Sequence, residues 1–98
     1  MKLSSKHQET LQAIFDNPVR SDVEWKKIES LFSAMGADVS EGRGSRIRVV
    51  LIDVKAVFHR PHPQKETDKG ALKSVRRFLK EAGVIHLNLN SHVRLQRI

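Results

Sequence analysis

Two prolines one residue apart, Pro61 and Pro63, constrain this chain more than any other feature. Each fixes φ and removes a backbone donor, so neither can occupy a central strand. Each also drives the residue before it, Arg60 or His62, towards an extended conformation. The segment Arg60-Pro-His-Pro-Gln-Lys-Glu-Thr-Asp-Lys-Gly-Ala-Leu-Lys73 therefore closes a strand, turns, and opens a helix. Thr67 or Asp68 can accept a hydrogen bond from the free amides of that helix's first turn. Gly70 leaves the backbone of the same turn bare. Imidazole, guanidinium, ammonium groups and a helix N-terminus share one short stretch, a combination suited to an anion.

Periodicity on either side supplies the fold. Ser5-Lys-His-Gln8 has capping-box spacing, and Leu11, Ile14 and Phe15 follow at helical intervals until Asn17-Pro18 ends the helix. Ser21 and Glu24 form a second start signal ahead of Trp25, Ile28, Leu31, Phe32 and Met35, a stripe that Gly36 stops. That stripe reads as core rather than as a binding groove. The period then changes. Ala37 to Glu41 forms a short strand, Gly42-Arg43-Gly44-Ser45 a turn, and Ile47, Val49 and Leu51 alternate with Arg46, Arg48 and Val50.

A reversal at Ile52-Asp-Val-Lys55 returns the chain through Ala56-Val-Phe-His59. A two- or four-residue loop centred there places Arg48 opposite His59 and Val49 opposite Phe58. Ile47, Val49, Leu51, Ala56 and Phe58 then face the helices, while Arg46, Arg48, Val57 and His59 face outward. A three-residue loop would reverse the faces. The final helix, Asp68 to about Ala82, buries Ala71, Leu72, Val75, Phe78, Leu79 and Ala82. Its other side shows Lys69, Lys73, Arg76, Arg77 and Lys80, and Gly83 follows its end. The order α-α-β-β-β-α describes an α+β fold with helices packed on one face of an antiparallel three-stranded sheet. Residues 1–83 form one domain, 1–18 of it an additional N-terminal helix, and 84–98 an extension that is either an added strand or a tail.

Composition narrows the partner. Lys and Arg number 18 against 11 acidic residues, a net charge of +7, which favours a polyanion, either nucleic acid or an acidic protein. Without cysteine there is neither a disulfide framework nor a thiolate zinc site. The N-terminus has no apolar signal core and no apolar run is long enough to cross a bilayer, so the expected location is cytoplasmic, with no membrane partner.

Gly44-Ser45 at a loop-to-strand junction, a hairpin to His59, Pro61-His62-Pro63-Gln64-Lys65-Glu66 and then Lys69-Gly70-Ala71-Leu72 stand in the order found in HicA-like toxins. The chain resembles that family from about Trp25 to Gly83. The resemblance implies a double-stranded-RNA-binding-domain-like fold. It also implies a toxin of a toxin–antitoxin pair that cleaves mRNA without metal or other cofactor and is held inactive by a HicB-like antitoxin. The family usually places a catalytic histidine immediately, or one residue, after Gly-Ser, where this chain has Arg46 and Ile47. Either the general base has moved, or the protein binds RNA and cuts it poorly.

RNA cleavage of this kind needs a base for the 2′-hydroxyl proton, a cation for the phosphorane and an acid for the leaving oxygen. Histidine suits the proton transfers and arginine the charge. The candidates are His59 with Arg46 and Arg48, and His62 in the proline turn. An exposed strand histidine beside solvated arginines is the competing description of the same residues. Arg43, Ser45, Arg60, Lys65, Lys69, Lys73, Arg76 and Arg77 are candidate RNA contacts, those on the helix as a phosphate track, or else a solvated face. Asp68 opposes a phosphate at the helix N-terminus, because its own carboxylate can sit there. His59, His62, Glu66 and Asp68 match no defined ligand spacing, so no metal site is assigned. His7, His86 and His92 read as solvent-exposed. Two further functions stay open: a non-catalytic RNA-binding module, and an interaction domain whose basic face serves only an acidic protein.

Overall fold

The structure, a computed structural model, describes residues 3–84. Helix α1 spans Ser5–Ile14 and is capped by Ser4, whose extended backbone aims its hydroxyl at the His7 amide, 3.2 Å away. The cap thus lies one residue before the expected Ser5. His7 is not solvated as expected. Its Nδ1 lies 2.9 Å from Ser4 Oγ and its Nε2 2.9 Å from Ser30 Oγ of the next helix, so the half-buried ring joins the two.

Ser21-x-x-Glu24 does not form a capping box. Val23–Glu24 (β1) instead pairs antiparallel with Glu66–Thr67 (β5), and Trp25 N donates to Lys65 O at 2.9 Å. The backbone there satisfies itself across the chain, so helix α2, Trp25–Ala34, starts with no side-chain cap. Helix α3 spans Lys69–Glu81, and Asp68 is its cap, accepting from Ala71 N at 2.7 Å. Gly36 and Gly83 both take φ 86. That left-handed step lets Ala37 N reach Phe32 O at 3.0 Å and Val84 N reach Leu79 O at 2.8 Å, closing α2 and α3 in the same way.

Strands Asp38–Glu41 (β2), Arg46–Leu51 (β3) and Val54–His59 (β4) form an antiparallel sheet in the order β2-β3-β4. The element order is the expected α-α-β-β-β-α, with the short β1–β5 ladder added. The hairpin loop is two residues, Ile52-Asp53, and Ile52 takes φ 53. Its even length keeps the expected faces: Ile47, Val49, Leu51 and Phe58 are buried, while Arg46, Arg48, Val57 and His59 are exposed. The register differs from expectation by two. Arg46 pairs with His59, Ile47 with Phe58 and Arg48 with Val57, because the turn closes on Leu51 and Val54, one residue earlier.

One core joins all the layers. Phe32 of α2 stacks on Phe58 of β4 at 5.7 Å, and Phe78 of α3 meets both edge-on at 5.6 and 5.7 Å. Trp25 closes the cluster 5.8 Å from Phe58. The carboxylate of Glu29 accepts from the Trp25 indole N–H and from Arg60, fixing the start of α2 to the end of β4. Of the 84–98 extension, all but Val84 lies outside the described residues.

Candidate functional site

Backbone pairing decides which side chains meet on the open face of the sheet. Gly42 N donates to Arg46 O, and Arg60 N donates to Ser45 O, both at 2.9 Å. Even-numbered residues of β3 therefore bond to β2 and odd-numbered ones to β4. Arg46 and His59 consequently form a directly opposed pair lying between hydrogen bonds, the kind whose Cα atoms approach to about 4.5 Å. Arg48 sits diagonal to His59 on the same exposed face, within reach of a long side chain. Ile47 is fully buried, so of the two positions after Gly44-Ser45 only residue 46 presents its side chain outward. A cation, a second cation and an imidazole are brought together.

The end of β4 leads into an open groove of about 450 Å³. His59, Arg60, Pro61, His62 and Gln64 form one side, and Thr67, Asp68, Ala71 and Ser74 the other. His59 and His62 therefore line one groove. The Thr67 hydroxyl is buried there and has no hydrogen-bond partner among the described residues. Asp68 fills the N-terminus of α3 with its own carboxylate. Arg43 and Ser45 are exposed in the turn before β3, and Lys65 is exposed beside the groove.

Two of the arginines expected to be free for RNA are engaged within the fold. Arg60 donates to Glu29 at 2.7 and 3.1 Å and lies 3.4 Å from Glu41. Hydrogen bonding to Glu29 pushes its pKa above the ordinary guanidinium value. Arg76 reaches back to α1, donating to Ile14 O at 2.9 Å and Asp16 O at 2.7 Å, with its guanidinium over the Phe15 ring at 5.7 Å. Lys69, Lys73 and Arg77 are exposed on α3 and form no ion pair among the described residues. They lie opposite the buried stripe Leu72, Val75, Phe78 and Leu79, whereas Arg46 and Arg48 lie on the sheet face that no helix among the described residues covers. The helix cations and the sheet cations thus look out from opposite sides of the core.

Glu29 had no signal as a site-shaping residue except its i, i+4 relation to Trp25, and its other partner lies 31 residues away. A second ion-pair group holds the α1–α2 connection: Arg20 bonds Asp22 at 2.8 Å and Asp16 at 3.2 Å, and holds the Asp22 carboxyl below its ordinary pKa. No helix among the described residues is long and apolar enough to cross a membrane.

A family model described as HicA toxin of bacterial toxin-antitoxin matches residues 25–84, leaving α1 and β1 outside the match. No curated protein and no solved structure matches the chain.

Proposed function

Because the chain belongs to the HicA toxin family of bacterial toxin–antitoxin systems, we propose that it is a cytoplasmic endoribonuclease that cuts mRNA without a metal and is neutralised by a HicB-like antitoxin. Neutral His59 takes the proton from a ribose 2′-hydroxyl as the 2′-oxygen attacks the adjacent phosphorus. Arg46 and Arg48 bind the non-bridging oxygens and offset the charge that grows on the phosphorane. The P–O5′ bond breaks, and His62 in its imidazolium form gives a proton to the departing 5′-oxygen. The products carry a 2′,3′-cyclic phosphate and a 5′-hydroxyl. A positioned base of this kind contributes roughly 10²–10⁴-fold.

The observation that carries this reading is the direct pairing of His59 with Arg46. Residue 46 is the outward position after Gly44-Ser45, so an imidazole at 59 stands across one strand gap from where the family's histidine is expected. RNA that bends around the β4 edge would meet Arg43 and Ser45 before the cut and Lys65, Lys69, Lys73 and Arg77 beyond it.

Labelled mRNA incubated with purified protein in chelator tests the proposal. Fragments ending in 2′,3′-cyclic phosphate are the expected result. Salt-sensitive binding that leaves the RNA intact would instead identify a non-catalytic RNA-binding module.

A further inference from the structure

The two edges of the main sheet are built differently. β2 is four residues long and shows Asp38, Ser40 and Glu41 to solvent, the short and charged form that discourages pairing. β4 is longer, six residues, and Lys55 is its one exposed lysine, set beside the exposed apolar Val57. Ser45–Arg60, Ile47–Phe58, Val49–Ala56 and Leu51–Val54 are the hydrogen-bonded pairs with β3. Lys55, Val57 and His59 therefore turn their N–H and C=O groups away from β3, and among the described residues these groups meet no partner in another element. Val57 is 54% exposed and Ile52, at the adjacent turn, 67%. The groove of His59, Pro61 and His62 continues from this edge. Lys55, Arg46 and Arg48 make the neighbouring surface basic.

We infer that the antitoxin adds an extended strand to the free edge of β4. The inference rests on the family reading that this toxin has a protein antitoxin. The incoming backbone pairs with Lys55, Val57 and His59, an apolar side chain covers Val57, and acidic side chains meet Lys55, Arg46 and Arg48. A strand in that place covers His59 and closes the path by which RNA reaches the groove. Inhibition and recognition then become one contact.

The test uses the toxin co-expressed with the product of the adjoining gene, the complex being followed by amide hydrogen exchange. Among the described residues the Val57 N–H serves no internal bond, so Val57→Pro removes a donor from the edge while the Ala56 and Phe58 amides remain protected. The wild-type complex is expected to protect the Val57 and His59 amides, and Val57→Pro to weaken association at least about tenfold. Val57→Lys, which keeps the N–H but removes the apolar contact, keeps the test valid if the proline variant misfolds: it weakens association and the Val57 and His59 amides stay the protected pair. Val57 and His59 amides that exchange freely in the complex overturn the inference, as does absence of binding by the adjoining gene's product. Protection already present in the isolated monomer would mean that the chain fills its own edge. Protection in a toxin dimer would give the edge to a second copy, and protection by mRNA alone would give it to RNA. Each of these outcomes overturns the inference. RNA cleavage is measured without antitoxin, so the catalytic proposal stands or falls separately.

Discussion

Arg76 offers the sharpest test of how the helices are joined, because its sequence position suggests an RNA contact while its geometry makes it a clamp. Its guanidinium donates to Ile14 O at 2.9 Å and Asp16 O at 2.7 Å, carbonyls at the exit of α1 that the helix leaves without donors. Charged donors and the negative end of the helix reinforce each other there. Arg76→Ala removes these two bonds, worth about 1 kcal/mol each once the carbonyls can turn to water, and a longer, exposed one to Asn17 Oδ1 at 3.4 Å that adds little. It also removes the contact with Phe15, roughly 0.5–1 kcal/mol. The expected loss is about 2.5 kcal/mol, a large share of the roughly 5–15 kcal/mol that holds a domain together. Tm should fall by roughly 10 °C. Urea unfolding followed through the single tryptophan, Trp25, measures it. Arg77→Ala, next along the same helix and exposed, is the control: its stability should stay within about 0.5 kcal/mol of wild type. RNA binding should reverse the ranking, with Arg77→Ala lowering the salt slope by roughly 0.7 and Arg76→Ala leaving it unchanged. A stable Arg76→Ala protein with weakened RNA affinity would refute the clamp.

Ile52 holds φ 53 with a β-branched side chain that is 67% exposed, so Ile52→Gly should raise stability by about 1 kcal/mol, and a lower Tm would contradict the turn geometry. Glu29→Ala strands the Trp25 indole and leaves Arg60 only Glu41. A loss of roughly 1–2 kcal/mol in urea unfolding is expected, with an unchanged midpoint arguing against the bridge. Asp22 has a folded pKa lowered by Arg20, so its contribution is complete above the ordinary carboxylate pKa of about 4 and is lost as pH falls through the lower folded value. Asp22→Asn should therefore flatten the acid side of the stability profile slightly at low salt and not at high salt; a profile identical to wild type at low salt would dismiss the pair.

Local sequence carried the helices, the strands and the two faces of the hairpin, because each depends on periodicity within a few residues. Gly36 and Gly83 marked helix ends correctly, since only a left-handed residue can close those turns cheaply. The exact register of β3 on β4 was beyond such reasoning: shifting the pairing by two leaves every side chain on the same face, so patterning cannot separate the alternatives. The β1–β5 ladder and the engagement of Arg60 and Arg76 depend on partners 31 to 62 residues away. Charge content counts such arginines as available cations, whereas the fold uses them as internal hydrogen-bond donors. His59 and Arg46 could be nominated from sequence, but only pairing places them face to face.

Cleavage rates of three proteins in chelator decide whether the proposed proton-accepting imidazole lies across the strand from residue 46. Wild type is compared with His59→Ala and with the exchange variant Arg46→His/His59→Arg, which keeps both groups but swaps their strands. His59→Ala should lose roughly 10²–10⁴-fold, and the exchange variant should recover a substantial part of the rate. Cleavage by His59→Ala at the wild-type rate would contradict that assignment.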